Sequence, residues 1–182
     1  TTRRTELGFP VLRQCLNVSR HLYKMNFTLQ QLTKDISTID QKDILSEWRW
    51  LLPDVKRVVL ITCMGDLFIE HNNGNILFLL YDGGDLEIVA DSISEFENLL
   101  KDEVNLDNWL LPLLYEKLAN AGKTLKPNEV FSLTKLGVLG GEYTVENIQP
   151  TDMSVHFSLS GQICKQIWDK PDGTKVNIDV VE

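Results

Sequence analysis

Asp66-Leu-Phe-Ile-Glu-His-Asn-Asn-Gly-Asn-Ile-Leu-Phe-Leu-Leu-Tyr-Asp-Gly-Gly-Asp-Leu-Glu-Ile-Val-Ala90 is the stretch on which the fold turns. Asn72-Asn-Gly-Asn75 joins two apolar runs of strand length. Asn and Gly tolerate positive φ, so this tetrapeptide reads as a hairpin turn. Ile76–Tyr81 is the returning strand, Asp82-Gly-Gly-Asp85 a second turn and Leu86–Ala90 a third strand. Upstream, the β-branched run Lys56–Cys63 supplies another strand, which Gly65 interrupts. The segment is an antiparallel meander.

Outside it the apolar period changes from two to nearly four. Thr28-Leu-Gln-Gln31 has capping-box spacing, with Leu29, Leu32, Ile36 and Ile39 following on one face. Asp40 caps a second helix carrying Ile44, Leu45, Trp48, Leu51 and Leu52, and Pro53 ends it. Ser92-Ile-Ser-Glu95 is another capping box. Asn105 opens a longer helix that ends at Gly122, with Pro112 as a kink or a boundary near Leu111. Beyond Pro127 the sequence reads as loop, with a short strand at Val130–Leu133 and a turn at Gly140-Gly141. Ser154–Phe157 alternates as a strand, Ser158–Trp168 reads as a helix and Lys175–Val181 as a final strand. The fold class is therefore α+β, an antiparallel meander flanked by amphipathic helices.

Charge divides the chain in two. Overall it holds 18 Lys+Arg against 26 Asp+Glu, a net of −8. Residues 1–24 carry five of the positives and one negative, so the remainder is at −12. The expected organisation is an atypical basic segment over 1–24 and a single α+β domain over 25–182. Either Met25 is the natural start, or Val11, Leu12, Cys15, Leu16 and Leu22 form a genuine N-terminal helix. An acidic surface repels nucleic acid and membrane phosphates and attracts basic partners, although acidity also serves solubility alone. No apolar run approaches the ~20 residues needed to cross a bilayer. Cys15, Cys63 and Cys164 are isolated and odd in number, so neither a disulfide framework nor a zinc site is expected. The reading is cytoplasmic, with no cofactor and no metal.

Catalytic signatures are sparse. There is no phosphate-binding loop and no dinucleotide fingerprint. His156 with Cys164 or Ser158 is the sole base–nucleophile combination worth naming, and no nucleophile-elbow pattern surrounds it. The chain is read as not an enzyme. The tryptophans mostly fall on apolar faces as core. Trp50 is out of phase with Trp48, and so is a candidate interface anchor. The candidate partner-binding set is Trp50 with the carboxylates Asp82, Asp85, Glu87, Asp91 and Glu95, the first two on an exposed turn.

Several strings resemble one bacterial family. They are Gly65-Asp-Leu-Phe-Ile69, the helix entry at Asp91-Ser92, Leu139-Gly-Gly-Glu-Tyr143, Val145-Glu-Asn-Ile148, His156-Phe157 with Gly161-Gln-Ile163, and Pro171-Asp-Gly-Thr174. The family is the C-terminal domain of the type VI secretion DNase-immunity proteins. The resemblance implies an immunity protein that binds and blocks a cognate nuclease effector. It supplies no catalytic residues to carry over. Gly140, Gly141, Glu142, Tyr143 and His156 match its strings, and a glycine turn with a tyrosine packed on a sheet explains them structurally as well. The alternative is a small-molecule-binding or regulatory domain with a pocket near Tyr143 and His156. The oligomeric state is left open.

Overall fold

The computed structural model describes residues 27–171 and 173–180. The expectation of an N-terminal helix within 1–24 lies outside the described residues. Four antiparallel strands in chain order form the main sheet: β1 (Val55–Ile61), β2 (Leu67–His71), β3 (Ile76–Leu80) and β4 (Asp85–Ala90). The meander follows the turn chemistry read from the sequence, and Phe68 of β2 lies opposite Phe78 of β3.

β2 and β3 are buried on both faces, which explains their near-continuous apolar composition. Odd-numbered Leu67, Ile69, Leu77 and Leu79 point into one core. Even-numbered Phe68, Ile76, Phe78 and Leu80 point into another. The second core is closed by α1 (Leu29–Leu32), α3 (Ile93–Leu99) and α4 (Glu103–Leu110), through Leu32, Phe96, Leu106 and Trp109. Phe68 packs there against Phe78 at 4.4 Å and Trp109 at 5.2 Å between ring centroids. The first core is closed by α2 (Gln41–Ile44), the 3-10 turn Ser46–Trp48, α5 (Pro112–Asn120) and α6 (Met153–Ile167). The two-stranded sheet of β5 (Glu129–Leu133) and β6 (Ile148–Asp152) completes that layer.

Capping fixes where the helices begin. Both bonds of the capping box at Thr28 are made. Asp40, Asp102 and Asp152 each accept from backbone N–H groups in the first turn of the helix that follows. The Ser92 box is only half formed. Ser92 accepts from the Glu95 N–H, but the Glu95 carboxylate turns to the N–H of Asp91 at 2.8 Å.

The structure corrects several sequence expectations. The first helix stops at Leu32, because Thr33 enters a β-bridge with Thr62 and Lys34 donates to the Ile61 carbonyl. Of the kink or boundary expected at Pro112, the structure has the boundary at Leu111, and the first of the two helices starts at Glu103 rather than Asn105. Pro112 cannot donate to the first, so it opens the second, and Leu111 between them adopts φ 49°. Ser154–Phe157 is the first turn of α6 rather than a strand, since Asp152 caps it. β6 was read as loop, and Pro150 sits within it. Residues 174–180 form no strand, although the Gln166 side chain both donates to the Asp179 carbonyl and accepts from its N–H.

Candidate functional site

The β3–β4 turn brings several of the sequence-predicted residues together. It begins at Tyr81, whose hydroxyl accepts from the Leu133 N–H at 2.9 Å and whose ring packs on His156 at 4.2 Å. Asp82 follows and points the other way. Its carboxylate accepts from the Tyr143 hydroxyl at 2.7 Å, and its carbonyl from the Val138 N–H at 3.1 Å. Asp82 was expected on an exposed turn. It is instead 9% exposed, because residues 135–143 fold over it.

That covering segment explains Gly140-Gly141-Glu142-Tyr143. A Cβ on Gly141 would lie 1.7 Å from the Lys135 carbonyl oxygen, so only glycine allows the loop to close on itself. Asn147 holds the closure, donating to the Lys135 and Glu142 carbonyls and accepting from the Lys135 N–H. Glu142 itself is exposed. The loop is a clamp on the turn, anchored by the Tyr143–Asp82 bond.

On the other side of the turn, a Cβ at Gly84 would meet Cys164, Trp168 and Trp48. Trp48 is fully buried, and its indole N–H donates to the Phe157 carbonyl at 3.0 Å. Trp50 stacks on Trp48 at 6.3 Å and meets Trp168 edge-on at 5.1 Å. Trp50, expected as the exposed tryptophan, is therefore half-buried between two rings. Trp168, read as core, is 47% exposed, because it lies just past the end of α6.

His156 joins three elements. Its Nδ1 lies 2.8 Å from the Ser132 hydroxyl of β5 and its Nε2 lies 3.1 Å from the Gly65 carbonyl oxygen. A carbonyl only accepts, so Nε2 carries the proton and Nδ1 accepts from Ser132. Gly65 has φ +83°, and a Cβ there would fall 2.3 Å from Nε2, so glycine is required on both counts. Burial holds the imidazole neutral, with its pKa lowered to about 4, although the bond to Gly65 opposes the shift. Ser132 was not singled out in the sequence. Its contact with His156 depends on β5 docking against α6, which no local spacing reports.

A serine hydroxyl on a histidine nitrogen has the outline of a nucleophile and base. Here His156 is 2% exposed, touches the rings of Tyr81 and Phe157, and protonates only in acid. The arrangement is suited to bracing the core rather than to proton transfer at neutral pH. The combination of His156 with Cys164 or Ser158, disfavoured in the sequence, finds no support, since both His156 nitrogens are taken by Ser132 and Gly65. The Cys164 thiol donates to the Tyr81 carbonyl, and burial, with Asp82 and Asp85 nearby, pushes it up to about 12. Cys63 is pushed up to about 11 by burial. Near the pocket expected by Tyr143 and His156, Tyr81 packs on the His156 ring and Asp82 accepts from Tyr143. Among the described residues no group of three or more His, Cys, Asp or Glu side chains converges as a metal site. No helix among them is long and apolar enough to cross a membrane.

The remaining carboxylates spread away from the turn. Glu87 is exposed on β4. Asp91 and Glu95 lie past the far end of that strand, roughly 20 Å from the turn at ~3.3 Å per residue. There they are tied into the start of α3 by the bond between the Asp91 N–H and Glu95.

Residues 90–164 match the family model described as T6SS immunity protein Tdi1, C-terminal. The match runs from the last residue of β4 into α6. It includes the Gly140–Tyr143 clamp and His156, whereas Gly65–Ile69 and Pro171–Thr174 lie outside it. The resemblance first drawn from scattered strings is thus found over this stretch, and the matched family is one of type VI secretion immunity proteins. No curated protein matches the chain.

Proposed function

We propose that this protein is an immunity-type inhibitor, which binds a cognate secreted nuclease in the cytoplasm and blocks it without catalysis of its own. The observation that carries this reading is the family match over 90–164. The chemistry of the site agrees with it. The buried histidine and both thiols are held uncharged at neutral pH by their surroundings. The charge agrees as well. A nuclease must present a basic groove to its substrate, and an anionic protein surface is suited to occupy it.

Contact falls to the exposed members of the acidic set, foremost Glu87 and Asp91, with Trp168 as an exposed aromatic side chain beside the β3–β4 turn, at the other end of β4 from Asp91. Asp82 serves by holding the clamp. The test is co-expression with the product of the adjacent gene, assayed for nuclease toxicity. Protection of the cell, together with a complex that purifies and weakens with salt, is the expected result. A toxic nuclease that stays toxic and does not co-purify removes the reading for that pair.

A further inference from the structure

The two edges of the main sheet are treated differently. β1 is irregular, with register shifts between Val55 and Arg57 and between Val58 and Leu60. Its Val58 N–H is taken by the Gln41 side chain at 2.8 Å, and its Ile61 carbonyl by the Lys34 N–H. Its Lys56 and Arg57 are pinned to Glu70. These are the ordinary ways of closing an edge to further pairing.

β4 lies at the opposite edge, and no strand adjoins its outer side among the described residues. It pairs regularly with β3 from Asp85 to Ile88, and its one irregularity comes after that, where Val89 is the extra residue. Side chains alternate along the regular part. Asp85 and Glu87 share one face, and Leu86 and Ile88 the other. Ile88 is 59% exposed, the highest value among the large exposed apolar side chains. Glu87 is in no ion pair among the described residues, and partial burial raises its carboxyl pKa. A second copy of the chain would set Asp85 and Glu87 against the same charges, so self-pairing is opposed. A basic strand meets the opposite situation.

We propose that the outer edge of β4 receives an extended segment of a partner protein as a fifth strand, with Lys or Arg side chains beside Asp85 and Glu87 alternating with apolar side chains beside Leu86 and Ile88. Main-chain bonds would supply much of the affinity, and the alternation the selectivity. In naming the nuclease effector as the source of that segment, the proposal rests on the immunity reading above.

The test has two arms. In the first, the full chain is titrated with a six-residue alternating lysine–valine peptide and followed by hydrogen exchange, with a glutamate–valine peptide as control. The expected result is exchange slowed about tenfold or more within Leu86–Val89 by the lysine peptide alone. Glu87→Lys and Ile88→Asp should each weaken binding roughly fivefold, in the range of single cross-strand pairs. Both positions are exposed, so these variants should keep the fold, which circular dichroism checks. No slowing, or equal slowing by the control peptide, overturns the proposal. In the second arm, exchange is measured in the complex with the product of the adjacent gene. A complex that leaves 86–89 unprotected overturns the edge proposal while the immunity reading stands. If no complex forms, the immunity reading falls and the peptide arm alone decides the edge.

Discussion

Lowering the pH should unfold this protein through His156. The imidazole titrates near 6.5 in an unfolded chain and at about 4 in the fold, because burial disfavours its charged form. Between these values the unfolded chain takes up a proton that the native state refuses. The neutral histidine's contribution is therefore complete above pH 6.5 and is lost as pH falls from 6.5 to about 4. At ~1.36 kcal/mol per pKa unit the full loss is about 3 kcal/mol. The ring is completely enclosed, so solvent screening removes little of this. Urea denaturation of the wild type and of His156→Gln at several pH values from 7.5 to 4 isolates the effect. The carboxylates titrate in both proteins, whereas only the wild type carries the histidine. The wild type's advantage over the variant should shrink by about 3 kcal/mol across the window. Parallel stability curves would refute the assignment of a buried neutral imidazole bonded to Ser132 and Gly65.

Three further perturbations follow from the same geometry. Gly65→Ala places a methyl 2.3 Å from the His156 ring at a φ of +83°, and should cost about 3 kcal/mol from left-handed strain and overpacking together, read as a lower urea midpoint. Tyr143→Phe removes the donor to the enclosed Asp82 carboxylate, and should cost roughly 1.5–3 kcal/mol and speed hydrogen exchange in 135–143. An unchanged exchange pattern there would mean the clamp does not depend on this bond. Trp48→Ala should cost about 3–5 kcal/mol in thermal unfolding, as for other buried aromatic truncations, and Trp168→Ala distinctly less, because Trp168 already stands half in solvent. Equal losses would contradict the difference in burial.

The meander was legible because its turns are written locally. Asn72–Asn75 and Asp82–Asp85 specify reversals whatever lies around them, and the alternating strands between them have a fixed period. Helix starts were legible for the same reason, since Thr28 and Asp40 bond to N–H groups only two or three residues away. What failed was decided at a distance. The α1 helix ends early because Thr33 finds Thr62, and 174–180 stays outside any ladder although its alternation suits a strand. The exposure of Asp82 was misjudged because its cover comes from residues more than 50 positions later. The tryptophans were misjudged for a related reason. Periodicity gives a face, but how far the neighbours reach decides whether Trp50 or Trp168 meets solvent.

The buried contacts of the matched stretch and the proposed recognition edge lie in different places. Gly141, Tyr143 and His156 lie in the matched stretch, and each acts on something that must be held still. Gly141 closes the loop, Tyr143 anchors it to Asp82, and His156 joins α6 to Gly65 and Ser132. Asp82 and Gly65 both lie before residue 90, outside the match, so these contacts tie the matched helices and β5–β6 layer to the meander. An enclosed histidine cannot read a partner's surface, and Gly141 and Tyr143 act within the loop. They can only fix the frame that presents one. Under the proposed function, residues that tell one partner from another are to be exposed, free to change without disturbing that frame, and placed where bound chain would be in register with the sheet. Glu87 and Ile88 meet those conditions. If the proposed function and edge hold, exchanging them for the edge residues of a member of the matched family should alter which partner is bound while leaving the melting temperature nearly unchanged. The same exchange at Tyr143 and His156 should lower the melting temperature, with any loss of binding following from the loss of fold.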